Sequence, residues 1–281
     1  MTESRIIISL IVPTYNAAAW LTECVTSVTG QLPDNCELIL VDDGSSDGTA
    51  QAVCRYAEER SNITAIPRAH GGVSAARNAG LDAARGAYIA FLDCDDCLKE
   101  DFFSQGLRLI ESGADLYIGG FEHVDPDKTT PMALADKIYD TASDFADDYI
   151  RNRHLLVYSA CNKFYKNSII KEYGIRFERG LSFGEDRLFN FEYLRHCGRI
   201  ETSHMIMFRY IHRNTDSASY KKFPDQEKTV LRLHRAKMDC FLNLSKGTTE
   251  EEKNSFIRYD RETERTRLLK YYSLADLHEF L

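Results

Sequence analysis

The chain contains no apolar run approaching the ~20 residues of a membrane-spanning helix, and its first residues, MTESRIIISLIVP, lack a basic region ahead of their apolar stretch. Both absences point to a protein of the cytosol, or one peripheral to the inner face of a membrane through a partner or its C-terminus. Beside Cys94 and Cys97 there is no second CxxC and no nearby pair of histidines, so the eight scattered cysteines do not frame a structural zinc site. Without a secretory leader they are expected as reduced thiols. An excess of positive charge is also missing. The chain carries 35 Lys and Arg against 43 Asp and Glu, a formal net charge of -8 and a pI near 5.5. That balance argues against a general nucleic-acid binder, while leaving open a pocket for a single nucleotide. No internal repeat or low-complexity tract interrupts the sequence.

What is present is a chain of 281 residues, enough for one large domain or one domain with an appendage. Its N-terminal part alternates strand-like and helix-like segments. Ile6 to Val12 is a continuous apolar run ended by Pro13, the pattern of a strand buried on both faces. Asn16 is placed to cap a helix with apolar positions Trp20, Leu21, Cys24, Val25 and Val28. Glu37 to Val41 predicts a second buried strand, closed by the DDGSSDGT turn, and Ser46 or Asp47 can cap a helix over Thr49 to Arg60. A strand at Ile63 to Ile66, a helix at Ser74 to Arg85 and a strand at Ala87 to Leu92 follow. This order predicts an α/β fold with a mostly parallel, doubly wound sheet and ligands at the carboxyl ends of its strands.

Beyond about Gly120 the pattern loosens. His123 to Pro131 reads as a charged loop, and Thr141 to Arg153, Asn162 to Tyr173 and Arg187 to His196 read as helices. From about Phe223 the chain is highly charged and helical. The expected division is 1–222 as a catalytic domain, with 1–120 the nucleotide-binding half and 121–222 the acceptor-side half, and 223–281 as a helical C-terminal extension. The apolar positions of that extension are explained most simply by packing back on the domain, although a membrane surface or a second copy could also take them.

The chemistry-bearing residues gather at the expected strand ends. Tyr15 could stack on a planar base or merely cover the edge of the core. Asp42 and Asp43 follow strand two; side chains alternate across a sheet, so at most one faces a given ligand. Asp42 suits the Gly44 turn and Asp43 the ligand, where a carboxylate could accept the N–H of a uracil. In HGGVSAARNAG, Arg77 could offset acidic neighbours, reach a nucleotide or stand as a surface cation.

The segment FLDCDD is the most pointed signal. Asp93, Asp95 and Asp96 crowd three carboxylates into four positions after an apolar strand, which demands a neighbouring positive charge. Asp93 and Asp95 supply hard oxygens suited to Mg²⁺ or Mn²⁺, with His212 a further candidate ligand. In FGEDRLFNFEYL, Glu185 and Asp186 open a helix, where the dipole favours anions; either could also deprotonate an acceptor hydroxyl.

Taken together, SLIVPTYNAAAWLTECVTSV, ELILVDDGSSDGT, HGGVSAARNAGLDAARGAYIAFLDCDD and FGEDRLFNFEY resemble glycosyltransferase family 2 over residues 6–215. This is the inverting group with the GT-A fold, and the likeness is to its capsule, lipopolysaccharide and exopolysaccharide enzymes in bacteria. The resemblance implies a nucleotide-diphosphosugar donor, usually UDP-linked, a divalent metal, and a glycan or lipid-linked acceptor. It implies that Pro13, Thr14, Tyr15 and Asp43 line a uracil pocket, and that Arg77, Asp93 and Cys94 lie along the nucleotide and donor sugar. Asp95, with Asp93 and His212, would hold the metal, and Asp186, or else Glu185, would be the base. NKFYK resembles a segment that would place Asn162 and Lys163 near the acceptor. His70 and Cys161 depart from the residues common at their positions. A sugar nucleotidyltransferase is the alternative, but the segment after strand one, TYNAAAW, has neither the glycine nor the basic residue of its phosphate loop. A degenerate nucleotide-sugar binder is the other alternative, and every named catalytic position is filled.

Overall fold

The computed structural model describes residues 6–213 and 225–269. The predicted alternation holds through the first hundred residues: β1 (Ile8–Thr14), α1 (Leu21–Thr29), β2 (Cys36–Asp42), α2 (Thr49–Glu59), β3 (Ile63–Pro67), α3 (Val73–Ala83) and β4 (Tyr88–Phe91). Strands β1, β2 and β4 are buried along their whole lengths, as strands covered by helices on both faces must be. Helix α3 lies so close on β1 that a Cβ at Gly80 would run into the Ile11 side chain, which explains the glycine inside that helix.

The remaining elements are β5 (Cys97–Leu98), α4 (Phe102–Leu109), β6 (Leu116–Val124), β7 (Thr129–Met132), β8 (Lys137–Tyr139), α5 (Ala142–Asn152), β9 (Lys163–Lys166), α6 (Asn167–Glu172), α7 (Glu185–Leu194), β10 (Ile200–Ile211), α8 (Gln226–Leu244) and α9 (Glu250–Leu268). One sheet runs in the order β3-β2-β1-β4-β9-β6-β10-β5, with β7 on β6 and β8 on β10. Strands β3, β2, β1 and β4 are mutually parallel, β9 is antiparallel to both β4 and β6, and β10 runs parallel to β6.

Four expectations are corrected here. Residue 120, the expected boundary between halves, lies inside β6, so both halves share one sheet. The segment read as a helix from Asn162 is a strand through Lys166 before α6 begins, because it fills the gap between β4 and β6. The charged stretch 123–131 is not all loop: β6 continues through it to Val124, and β7 pairs back on β6. Asn16 caps no helix. It adopts a left-handed φ of 46°, and its Oδ1 accepts from Ser46 N at 2.9 Å, tying the end of β1 to the turn after β2.

The described part of the C-terminal extension, 225–269, is helical and packs on α5 and α7. Phe241 of α8 stacks on Tyr149 of α5 at 3.8 Å, and Cys240, Phe241 and Phe256 belong to the main core. A buried charge cluster joins the two helices, with Asp260 accepting from Lys237 Nζ and pairing with His234 at 2.6 Å. Among the described residues, no helix is long and apolar enough to cross a membrane.

Candidate active site

The carboxyl ends of β1, β2 and β4 lie side by side, and the loops that leave them interlock. Asp43 N donates to Thr14 O at 2.9 Å, Asn16 N to Ser45 Oγ at 2.9 Å and Ala17 N to Thr49 Oγ1 at 2.8 Å. Asp42 Oδ2 accepts from Ser45 N at 3.1 Å and shapes the turn. Gly44 is required there, since its φ is 79° and a Cβ would sit 2.8 Å from His70 N. Asp43 turns toward the loop that leads into α3. Its oxygens accept from Gly71 N and from Gly72 N at 2.7 Å, and they pair with Arg68 and with His70 Nδ1 at 2.9 Å. The ring of His70 stacks on Tyr15 at 4.3 Å, with both rings at the surface.

The positive charge demanded by the FLDCDD segment comes from the protein itself. Arg77 projects from the first turns of α3, is 3% exposed, and distributes its guanidinium over three carboxylates. Nη2 donates to Asp93 Oδ1 at 2.8 Å; Nη1 donates to Glu185 Oε1 at 2.9 Å and to Asp186 Oδ1 at 2.6 Å. Phe177 lies 5.2 Å beneath the guanidinium. Burial pulls the Arg77 guanidinium down, but the charges of Asp186, Asp93 and Glu185 outweigh it and raise it above its ordinary range. Asp186 sits at the N-terminus of α7, and Ala160 N donates to its Oδ2 at 3.1 Å. Burial pushes its carboxyl up, Arg77 pulls it down, and the charges of Glu185 and Asp93 push it up again, leaving it at about 7. A carboxylate poised near neutrality suits proton abstraction.

The loop after β4 divides its carboxylates by role. Asp96 is buried, accepts from Ile211 N at 2.9 Å, and is pushed up to about 9 by burial and by the charges of Asp93 and Asp95. Asp95 reaches solvent. Desolvation by the surrounding protein and the Asp93 charge raise its carboxyl, while the Arg213 charge pulls it back down. Asp95, and the Asp93 oxygen that Arg77 leaves over, offer hard oxygens, which fits Mn²⁺ or Mg²⁺ held by one or two carboxylates together with substrate phosphates. No three His, Cys, Asp or Glu side chains among the described residues form a complete metal shell by themselves. His212 ends β10 with its Nδ1 on Asp125 Oδ1 at 2.9 Å. Cys94 is a partly buried thiol beside Asp95 and Asp93, pushed up to about 12 by burial.

Several expected residues take a different place. Pro13 and Thr14 are buried in β1, and the Thr14 hydroxyl is spent on Val41 O at 3.3 Å, so they set Tyr15 at the strand end rather than lining a uracil pocket. Both Asp43 oxygens serve the 68–72 loop. Asn162 and Lys163 are wholly buried and bonded to backbone carbonyls, because Lys163 opens the central strand β9 and Asn162 immediately precedes it, away from any acceptor surface. Sequence reasoning missed Arg68, the Ala160 N–H and Arg213. Arg213 Nε donates to Asp95 O at 3.1 Å, its Nη2 pairs with Glu23 at 2.9 Å, and its guanidinium covers the Trp20 ring. Arg68, in PRAHGG, carried the signal of a cation before a glycine turn; the Ala160 backbone carried none.

Comparison with known proteins shows the family and the fold. The family model described as glycosyl transferase family 2 matches residues 9–174. The chain is 26% identical over 258 residues to the glycosyltransferase EpsJ of Bacillus subtilis (strain 168), covering 89% of this chain and 74% of that protein. It is 34% identical over 185 residues to the minor teichoic acid biosynthesis protein GgaB of the same organism, covering 63% of this chain but 20% of that protein. Among solved structures, S. aureus TarS 1-349 in complex with UDP-GlcNAc superimposes with a TM-score of 0.73 at 23% identity, covering 94% of this chain and 73% of that one, which shows a shared fold.

Proposed function

The chain belongs to glycosyl transferase family 2, and on that premise we propose that this glycosyltransferase moves a sugar from a UDP-linked donor to a hydroxyl of a glycan or lipid-linked acceptor in surface-polysaccharide assembly. One observation carries the reading. Asp186, near neutral pKa, shares Arg77 with Asp93, so base and donor loop are joined through one guanidinium. The relative named for teichoic acid biosynthesis supports the acceptor class, and the UDP-GlcNAc bound in the TarS structure supports the donor class.

In this reading Asp186 takes the proton of the acceptor hydroxyl as its oxygen attacks the anomeric carbon. The bond from that carbon to the phosphate oxygen breaks on the opposite face, and UDP leaves with the electron pair, inverting the centre. Glu185 is the reserve base. Tyr15, with His70 against it, offers the stacking face for the base, and Asp43 fixes the loop that carries His70. Arg77 steers Asp93 and Asp186 together, and Cys94 holds the turn between the donor-side carboxylates. A divalent cation held by Asp95 and Asp93, with His212 a further ligand, supplies charge neutralisation at the leaving diphosphate when bound. The proposed division keeps residues 1–222 as the catalytic unit and 223–281 as its C-terminal extension.

Calorimetric titration of UDP, GDP and CDP, each with Mn²⁺ and with chelator, tests the donor and metal assignments on wild type and Asp95→Asn. UDP-selective binding that weakens on chelation and in the variant is the expected result. Equal binding of all three nucleotides, or binding indifferent to metal, overturns the corresponding assignment.

A further inference from the structure

The NKFYK segment has no place in the chemistry above, yet it holds a wholly buried lysine. Its surroundings show what the lysine grips. Lys163 Nζ donates to Leu156 O at 2.8 Å, to Ser159 O, and to Asn162 Oδ1 at 2.8 Å, so its three N–H groups meet three acceptors. Asn162 Nδ2 donates to Leu156 O at 3.0 Å and Gly119 O at 2.8 Å. From the opposite side Asn190, one turn beyond Asp186 on α7, donates its Nδ2 to Val157 O at 2.8 Å, Tyr158 O at 3.0 Å and Ser159 O at 3.1 Å. Tyr165 in turn donates to Asn190 Oδ1 at 2.5 Å. Four consecutive carbonyls, 156 to 159, are thus captured by buried donors. The next backbone donor in the chain is the Ala160 N–H, and it meets Asp186 Oδ2 at 3.1 Å.

We propose that Asn162, Lys163 and Asn190 are positioning residues that pin turn 156–159 so that the Ala160 N–H holds and orients the Asp186 carboxylate. The inference deepens the reading of Asp186 as the base and rests on it. An apolar side chain could fill the space of Lys163 at far lower desolvation cost; burial pushes the ammonium down to about 7. Three matched acceptors offset that cost and fix the turn in a way an apolar side chain could not.

The groups facing Asp186 are Arg77 of α3, Asp93 after β4, Glu185 beside it on α7, Cys161, and Lys163 and Tyr165 of β9. Two variants separate the turn from the charge. Asn190→Ala loosens the turn and changes no charge, whereas Lys163→Met loosens it and removes an ammonium. The measurement is a ¹³C carboxyl NMR titration of Asp186, assigned through Asp186→Asn, on ligand-free protein whose fold is checked by thermal melt. A lost N–H weakens the ionised form, so the titration midpoint should rise by about one pH unit in both variants. A midpoint unmoved in folded Asn190→Ala, or moved in Lys163→Met alone, overturns the proposal, the latter because bare charge would then account for the shift. Turnover of a UDP-sugar retained in Asp186→Asn would instead overturn the base reading, and leave the positioning read by titration standing.

Discussion

Arg77 Nη1 donates to Asp186 Oδ1 at 2.6 Å across 109 positions of chain. This bond joins α3 to the first turn of α7. Removing the guanidinium as Arg77→Met strands Asp93, Glu185 and Asp186 together. Breaking such a network costs about 3–5 kcal/mol when fully buried; because Asp93 is partly exposed, a loss near the lower end is expected. Denaturant unfolding with an unchanged slope checks it. Arg77→Lys should recover less than half, since one ammonium lacks the fork that reaches three carboxylates.

Activity should rise with pH through about 7, where Asp186 loses its proton. The ionised form is the competent base, so the loss falls on the acid side. Asp186→Asn should lower turnover by about 10²–10⁴-fold and leave UDP binding intact by calorimetry. A flat profile across pH 6 to 8 would contradict the assignment.

Asp96 bears on stability rather than catalysis. Its folded-state carboxyl is pushed up to about 9 by burial and by Asp93 and Asp95, against about 3.9 in an unfolded chain. Its contribution is therefore fully present below about pH 4 and is lost as pH rises toward 9. Asp96→Asn keeps an acceptor for Ile211 N–H and removes the charge. In chelator, the variant should melt several degrees above wild type at pH 8, and at the same temperature at pH 4.

The cluster between α8 and α9 is the clearest test of the C-terminal extension. Lys237 is 1% exposed, and Asp260 pairs with both it and His234. Lys237→Met should cost about 3 kcal/mol, the lower end for a broken buried pair because His234 still faces Asp260, and the double change Lys237→Met/Asp260→Leu should recover most of it. A double-variant loss equal to the sum of the losses in Lys237→Met and Asp260→Leu would show that the pair contributes no coupling. Asp260 is held below its usual range, with His234 and Lys237 overcoming burial. That contribution is present above about pH 4 and is lost below it.

Strands β1, β2 and β4 and their loops could be read directly, because a strand buried on both faces writes itself as an unbroken apolar run and its turn as Gly, Asp and Ser. Strands β6, β9 and β10 were not legible. In β10 buried Met205, Met207 and Phe208 alternate irregularly with exposed His204 and Arg209, and the register to β6 shifts twice. Lys163 and Asn162 look like surface residues in the sequence. Only the sheet places them between β4 and β6, where every donor must find a carbonyl.

By itself the sequence determined the doubly wound N-terminal half, the crowding of carboxylates after β4 and the need for a cation among them. These are local properties of periodicity and of like charges at close spacing. Tertiary structure decided which cation answers which carboxylate. Arg77 takes Asp93 and Asp186, Arg68 and backbone N–H groups take Asp43, a backbone N–H takes Asp96, and Asp95 is left exposed. That allocation depends on how α3, α7 and the 156–160 turn pack around the sheet. A guanidinium or an N–H acts over about 3 Å, and no spacing along the chain specifies a meeting of residues more than a hundred positions apart.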